Sequence, residues 1–186
     1  GIYNNSSSPT ITNTIISNNS CSFNGGGICN IYSSPIITNT NISNNSANNS
    51  GGGIYNFYSS PTLTNTTISN NSAHNGGGGY NYVSSPIITN TTISNNSCSF
   101  NGGGIYNQVY SSPTLTNVTI SNNSTNNDGG GIYNEYDSSP TINNSIIWGN
   151  TRNSDQSINN IYNFSSSSST PVYKYSLIQG SMVNSN

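Results

Sequence analysis

Single isoleucines recur at fixed places in a polar background, and no stretch of the chain shows the spacing of an amphipathic helix. The repeating unit reads Gly-Gly-Gly-Ile-Tyr-Asn, a variable linker, Ser-Ser-Pro-Thr-Ile-Thr-Asn-Thr-Thr-Ile-Ser-Asn-Asn-Ser, and a short polar link to the next glycine run. It holds three short pieces of period-two alternation, Ile-Tyr-Asn, Thr-Ile-Thr and Thr-Ile-Ser. Each points its Ile to one side and its Tyr, Thr or Ser neighbours to the other. The seven prolines keep the phase: Pro9, Pro35, Pro61, Pro86, Pro113, Pro140 and Pro171 stand 26, 26, 25, 27, 27 and 31 residues apart.

One inward Ile per strand cannot close a core within one circuit, but stacked circuits can, because each Ile then lies about 4.8 Å from its counterpart. The pattern predicts an all-β, three-sided parallel β-helix of about seven coils, about 26 residues each. It forms a single domain over 1–186, regular over 1–150 and divergent over 151–186. The predicted first apolar column is Ile2, Ile28, Ile54, Gly79, Ile105, Ile132 and Ile161. The second is Ile11, Ile37, Leu63, Ile88, Leu115, Ile142 and Tyr173, and the third is Ile16, Ile42, Ile68, Ile93, Ile120, Ile147 and Ile178. Gly79 breaks the first column and is expected to leave a void or to let the backbone move inward.

Asparagine supplies the corners in two columns. Asn4, Asn30, Asn56, Asn81, Asn107, Asn134 and Asn163 form one; Asn19, Asn45, Asn71, Asn96, Asn123 and Asn150 form the other. A buried amide is costly unless bonded, but an Asn stacked on an Asn donates to one neighbour and accepts from the other. Asn and Gly also tolerate the left-handed backbone of tight corners.

Composition sharpens this picture. Only 30% of the 186 residues are hydrophobic and 3% charged, too few for a conventional two-layer core, yet the near-zero net charge and 13 Tyr are unlike a disordered chain. Asp128, Glu135, Asp137, Arg152, Asp155 and Lys174 are the whole charge complement, so the basic stripe of a nucleic-acid binder is absent. No run reaches the roughly 20 apolar residues of a membrane-spanning helix. The chain opens in mid-repeat with Gly1-Ile2-Tyr3, without a signal-peptide pattern, which suggests a trimmed piece of a longer precursor.

The segment Ile42-Ser-Asn-Asn45-Ser-Ala47, followed by Gly51-Gly-Gly-Ile54, resembles the repeat of the chlamydial-type polymorphic outer membrane proteins, with Ile in place of the usual Phe and Gly in place of Ala. Asn144-Ser-Ile-Ile-Trp-Gly-Asn150, Ile161-Tyr-Asn163 and Tyr175-Ser-Leu-Ile-Gln-Gly180 are similar to the last coils of secreted bacterial β-helix proteins with a C-terminal sorting or anchor domain. The resemblance implies a right-handed β-helix and a secreted or cell-surface location, and no particular ligand.

Parallel β-helices include polysaccharide lyases and hydrolases, which need carboxylates converging on one face. Asp128, Glu135 and Asp137 are the nearest approach to such a set, and as residues of a solvated loop they predict neither catalysis nor a metal or cofactor site. His74 reads as an exposed turn residue. Cys21 and Cys98 take the small inward position held elsewhere by Ala47 and Ala73, roughly 14 Å apart along the axis and beyond bonding reach. Cys29 takes a Tyr position; it is either one of three thiols or linked to Cys21. Thr pairs such as Thr62 and Thr64 resemble ice-binding faces, but Ile36 and Ile87 interrupt them.

The outer column Tyr3, Tyr55, Tyr80, Tyr106, Tyr133 and Tyr162 either covers the strand backbone or offers flat rings to a glycan or a neighbouring subunit. Sequons recur in phase at Asn18, Asn44, Asn70, Asn95 and Asn122, and again at Asn41, Asn65, Asn90 and Asn117, as candidate glycosylation sites. The leading expectation is a non-enzymatic extracellular structural protein, a filament subunit or surface stalk, whose ends meet another copy head to tail or flanking solenoid sequence. A glycan-binding adhesin and a polysaccharide lyase or hydrolase are the alternatives.

Overall fold

A computed structural model describes residues 1–164 and 168–180, and the backbone of the strand Val183–Asn184. Ser181, Met182, Ser185 and Asn186 lie outside the described residues. The chain winds as a β-solenoid without helices among the described residues. The first sheet stacks Ile2–Asn5, Ile28–Ile31, Ile54–Phe57, Gly79–Tyr82, Ile105–Gln108, Ile132–Glu135, Ile161–Asn163 and Val183–Asn184. The second runs from Thr10–Thr12 to Val172–Lys174 and the third from Ile15–Ser17 to Leu177–Ile178, seven strands each.

Two expectations need correction. The solenoid has four sheets rather than three, because two-residue strands in the polar link, Ser20–Cys21, Ser46–Ala47, Ser72–Ala73, Ser97–Cys98, Ser124–Thr125 and Thr151–Arg152, pair in parallel as a narrow fourth side. It makes about six turns rather than seven: the seven residues from Ile2 to Ile161 on the first face bound six circuits. Within the sixth, Arg152 pairs with Ser157 in an antiparallel hairpin, and the fourth side ends there.

The register places every predicted column rung on rung, including Ile142 opposite Tyr173 and Cys21 opposite Ala47. The three Ile/Leu columns form one continuous buried core, with Ile28, Ile37, Ile42, Leu115 and Ile132 wholly shielded from solvent. At about 25 cal/mol per Å², such burial contributes roughly 1.5–3 kcal/mol per side chain. Gly79 keeps the strand register, and the missing side chain leaves an apolar cavity of about 20 Å³ among Ile54, Leu63, Ile68, Ile88 and Ile105, about the room for one water.

Corners follow from residues that accept φ > 0. Asn13, Asn39, Asn65, Asn90, Asn117 and Asn144 turn the second side into the third with φ of 49–55°. The sequon residues Asn18, Asn44, Asn70, Asn95 and Asn122 turn the third into the fourth with φ of 55–58°. Gly51, at φ 71°, returns the chain to the first side.

The amide ladders form as expected. From Asn4 to Asn163 each Nδ2 donates to the next Oδ1 at 2.8–2.9 Å. In the second ladder each internal Asn also gives Nδ2 to a main-chain carbonyl, as Asn71 does to Ile42 at 3.0 Å. Two ladders were not anticipated. In the Ser-Ser pair before each Pro, the backbone N–H of Ser33, Ser59, Ser84 and Ser111 donates to the serine hydroxyl of the following coil. The N–H of Ser34, Ser60, Ser85, Ser112 and Ser139 donates to that of the preceding one. These hydroxyls satisfy corner N–H groups that no strand pairing reaches.

Candidate functional site

The outer face of the first sheet carries the chemistry that varies from coil to coil. Its register aligns Tyr3, Cys29, Tyr55, Tyr80, Tyr106, Tyr133 and Tyr162 in one column and Asn5, Ile31, Phe57, Tyr82, Gln108 and Glu135 in the next. The glycine turn that enters each coil folds against the base of this column: a methyl placed on Gly51 would lie 2.8 Å from Tyr55 Cβ, and one on Gly102 would lie 2.8 Å from Tyr106 Cβ. The aromatic column therefore sits in a groove between turn and sheet, and only a residue without Cβ brings the turn so close.

That groove hides part of the face. Tyr80, Tyr106 and Tyr133 are buried, Tyr55 and Tyr162 half-buried, and Tyr3 exposed. From Tyr55 to Tyr162 successive rings pack at centroid distances of 4.8–5.5 Å, stacked at the two outer pairs and edge-to-face at the two inner ones. The hydroxyls turn to the neighbouring column: Tyr80 donates to Gln108 Oε1, Tyr106 donates to Glu135 Oε2, and Gln108 Nε2 donates to the same carboxylate at 3.1 Å. Burial, reinforced by the Glu135 carboxylate, holds the phenols of Tyr106 and Tyr133 well above the usual tyrosine range. Burial does the same for Tyr80, helped by Tyr55 and Glu135.

Open aromatic surface lies one corner further on. Tyr32 and Tyr58, 58% and 46% exposed, stack at 5.5 Å beside Phe57, which itself stacks on Tyr82 at 5.3 Å. Sequence periodicity missed this corner because Tyr32 and Tyr58 fall in the variable linker and adopt φ of 48–49°, outside the strand alternation. Their recurrence one coil apart was the available signal.

The acidic residues are not gathered for one task. Asp128 pairs with Arg152 at 3.1 Å, and Arg152 reaches Asp155 at 2.9 Å, pinning the hairpin that ends the fourth side. The Ser157 hydroxyl and Arg152 hold the Asp155 carboxyl down to about 2. Glu135 serves Tyr106 and Gln108, while Asp137 accepts the Ser168 N–H at 2.7 Å. No group of three His, Cys, Asp or Glu side chains suited to a metal occurs among the described residues. His74 is exposed, bonded to Ser99 Oγ at 2.9 Å and stacked on Phe100 at 5.4 Å.

All three cysteines are free thiols, and burial pushes those of Cys29 and Cys98 up to about 11. The sequon residues Asn18, Asn44, Asn70, Asn95 and Asn122 are exposed at their corner, as are Asn41, Asn65, Asn90 and Asn117. Asn65 Nδ2 donates to Asn39 Oδ1 at 3.2 Å and Asn117 Nδ2 to Asn90 Oδ1 at 3.1 Å. No helix of the described residues is long and apolar enough to cross a membrane.

No curated protein sequence and no solved structure matches the chain. The family described as "Right handed beta helix region" matches residues 1–174, a span that takes in the stacked Ile columns, the Asn ladders and the aromatic groove. The chain belongs to the right-handed β-helix family.

Proposed function

We propose that this chain is a non-enzymatic structural segment of an extracellular or cell-surface protein, a stiff stalk or fibre element continued end to end by copies of itself or by flanking solenoid sequence. The observation that carries this reading is the uniformity of the layer-to-layer bonding. Parallel main-chain pairing, three apolar columns and two buried Asn ladders join each coil to the next at the same positions. Load along the axis is then shared by many equivalent bonds rather than focused on one interface. The resemblance to polymorphic outer membrane protein-type repeats and to anchored secreted β-helix proteins supports the surface location. The separate engagement of Asp128, Glu135 and Asp137 speaks against a polysaccharide lyase or hydrolase centre built on them.

Electron microscopy of native material tests the proposal. Rods or fibres with an axial repeat set by the coil stack are the expected result; isolated compact particles would sink it. Glycans on the exposed sequon corners would supply the solvation that a nearly uncharged surface lacks. Rungs lie only about 4.8 Å apart, so neighbouring coils would crowd one another's sugars. An intact mass equal to that of the bare polypeptide would remove this part of the reading.

A second reading, a glycan-binding adhesin, draws on the exposed stack of Tyr32 and Tyr58. Flat, half-exposed rings with polar tips suit sugar faces. Loss of binding on a glycan array in Tyr32→Ala and Tyr58→Ala, with the fold intact, would favour it over the stalk.

A further inference from the structure

The aromatic column is interrupted once. Cys29 stands in register between Tyr3 and Tyr55, and each rung of the column from the third to the seventh supplies a tyrosine. The missing ring leaves an open pocket of about 390 Å³, the size range of small-molecule sites. Tyr3 and Tyr55 form its two ends, Cys29 and Ile31 its floor, and Phe57 and Phe23 its flanks.

Two rungs separate Tyr3 from Tyr55, about 9.6 Å at sheet spacing, so a ring placed midway would sit about 4.8 Å from each. That is the centroid spacing found where the column is complete: 4.9 Å for Tyr80 with Tyr106 and 4.8 Å for Tyr106 with Tyr133. The polarity of the gap is also defined. Tyr80 and Tyr106 send their hydroxyls to the second-column residue of the following coil, Gln108 and Glu135. For a ring at the Cys29 rung the equivalent residue is Phe57, which accepts nothing. The pocket thus favours a ring without a strongly polar edge on that side. A burial-raised, neutral Cys29 thiol keeps the floor apolar.

We propose that this step in the column binds one small planar aromatic molecule, phenyl to indole in size, inserted between Tyr3 and Tyr55 above Cys29. A flat ring held between two tyrosines over an apolar floor is bound by ring packing and needs no polar anchor.

The test is a titration of the full chain with indole and toluene, followed by NMR shifts of the Ile31 and Cys29 signals, with cyclohexylmethanol as a non-planar control. Saturable shifts with the aromatics, at least tenfold weaker with the control, are expected. Cys29→Tyr restores the residue that the other coils use, so it folds and should weaken indole binding at least tenfold. Cys29→Ala should retain binding. Equal binding by the control, unchanged binding in Cys29→Tyr, or no saturation in the millimolar range would overturn the proposal. Binding seen only in Phe23→Ala would overturn it too, because the occupant would then be the chain's own Phe23, which is 72% exposed beside the pocket.

Discussion

The Oδ1 of Asn123 accepts two hydrogen bonds from one residue of the coil before it, from Asn96 Nδ2 at 2.9 Å and from the Asn96 backbone N–H at 2.9 Å. Asn123 Nδ2 in turn donates to Asn150 Oδ1 at 2.8 Å and to the Ile93 carbonyl at 3.0 Å. Two donor hydrogens and two acceptor positions are all used, which is how a fully buried amide is tolerated in an Ile core.

Replacing Asn123 by Ala strands the Asn96 backbone N–H and one hydrogen of Asn96 Nδ2, and takes a donor from the Ile93 carbonyl, while Asn150 Oδ1 still accepts from the backbone N–H of residue 123. Each stranded buried group costs about 1–3 kcal/mol, so a loss of several kcal/mol is expected in urea unfolding. Asn123→Asp keeps the acceptor but faces two oxygens with no donor unless it is protonated. Its folded pKa is then raised. The variant should match wild type best below the unfolded carboxyl value of about 4 and lose stability as pH rises above it, until the folded carboxyl also ionises. A pH-independent difference between Asn123→Asp and wild type would contradict this account.

Two adjacent glycines should respond to alanine with opposite sign. A methyl on Gly78 would lie 2.6 Å from the Gly104 carbonyl oxygen and 3.0 Å from Asn96 Nδ2, and Gly78→Ala is expected to destabilise by about 1–3 kcal/mol. A methyl on Gly79 meets nothing nearer than 4.0 Å and points into the apolar cavity. Gly79→Ala should raise stability by about 1 kcal/mol through backbone entropy and contact, whereas Gly79→Ile, whose side chain exceeds a space of about one water, should gain less than Gly79→Ala. Midpoints of thermal unfolding for the three variants check both signs.

Alkaline pH should unfold the protein through its buried acids. Folded Cys29 and Cys98 hold their protons to about 11, above the ordinary thiol value of about 8.5. Tyr80, Tyr106 and Tyr133 hold theirs well above the ordinary phenol value of about 10. Each group binds its proton more tightly folded than unfolded. Its contribution is therefore complete below the unfolded pKa and is lost as pH rises through the folded one. Stability should begin to fall above about pH 8.5 as the thiols of the unfolded chain ionise, and more steeply above about pH 10. Urea midpoints between pH 7 and 11 that do not decline would contradict the burial of these side chains.

The columns were legible because one residue type, repeated once per circuit, both marks the period and does the packing: Ile28, Ile54 and Ile105 need no context beyond their own phase. The Asn ladders were legible for the same reason, but the corners were not: the φ > 0 turns fall on Asn13, Asn18 and their counterparts, while Asn4 sits inside the strand Ile2–Asn5. The fourth side was not, since Ser46 and Ala47 carry two residues of pairing and no apolar alternation. Strand alternation sends Tyr106 outward, yet only the path of the turn at Gly102 decides that outward is still buried. The gap at Cys29 was visible as a substitution in the column. Its shape, which depends on the rings two rungs apart, was not.

The two buried Asn ladders point the same way, each side chain handing one amide hydrogen to the Oδ1 of its C-terminal neighbour. The stack is consequently an arrow. A layer laid against its N-terminal side has to bring amide hydrogens, and one laid against its C-terminal side has to bring oxygens. Two such stacks brought together by like ends would oppose oxygen to oxygen or hydrogen to hydrogen, so the chemistry of a single side chain selects the one orientation in which coils can go on adding.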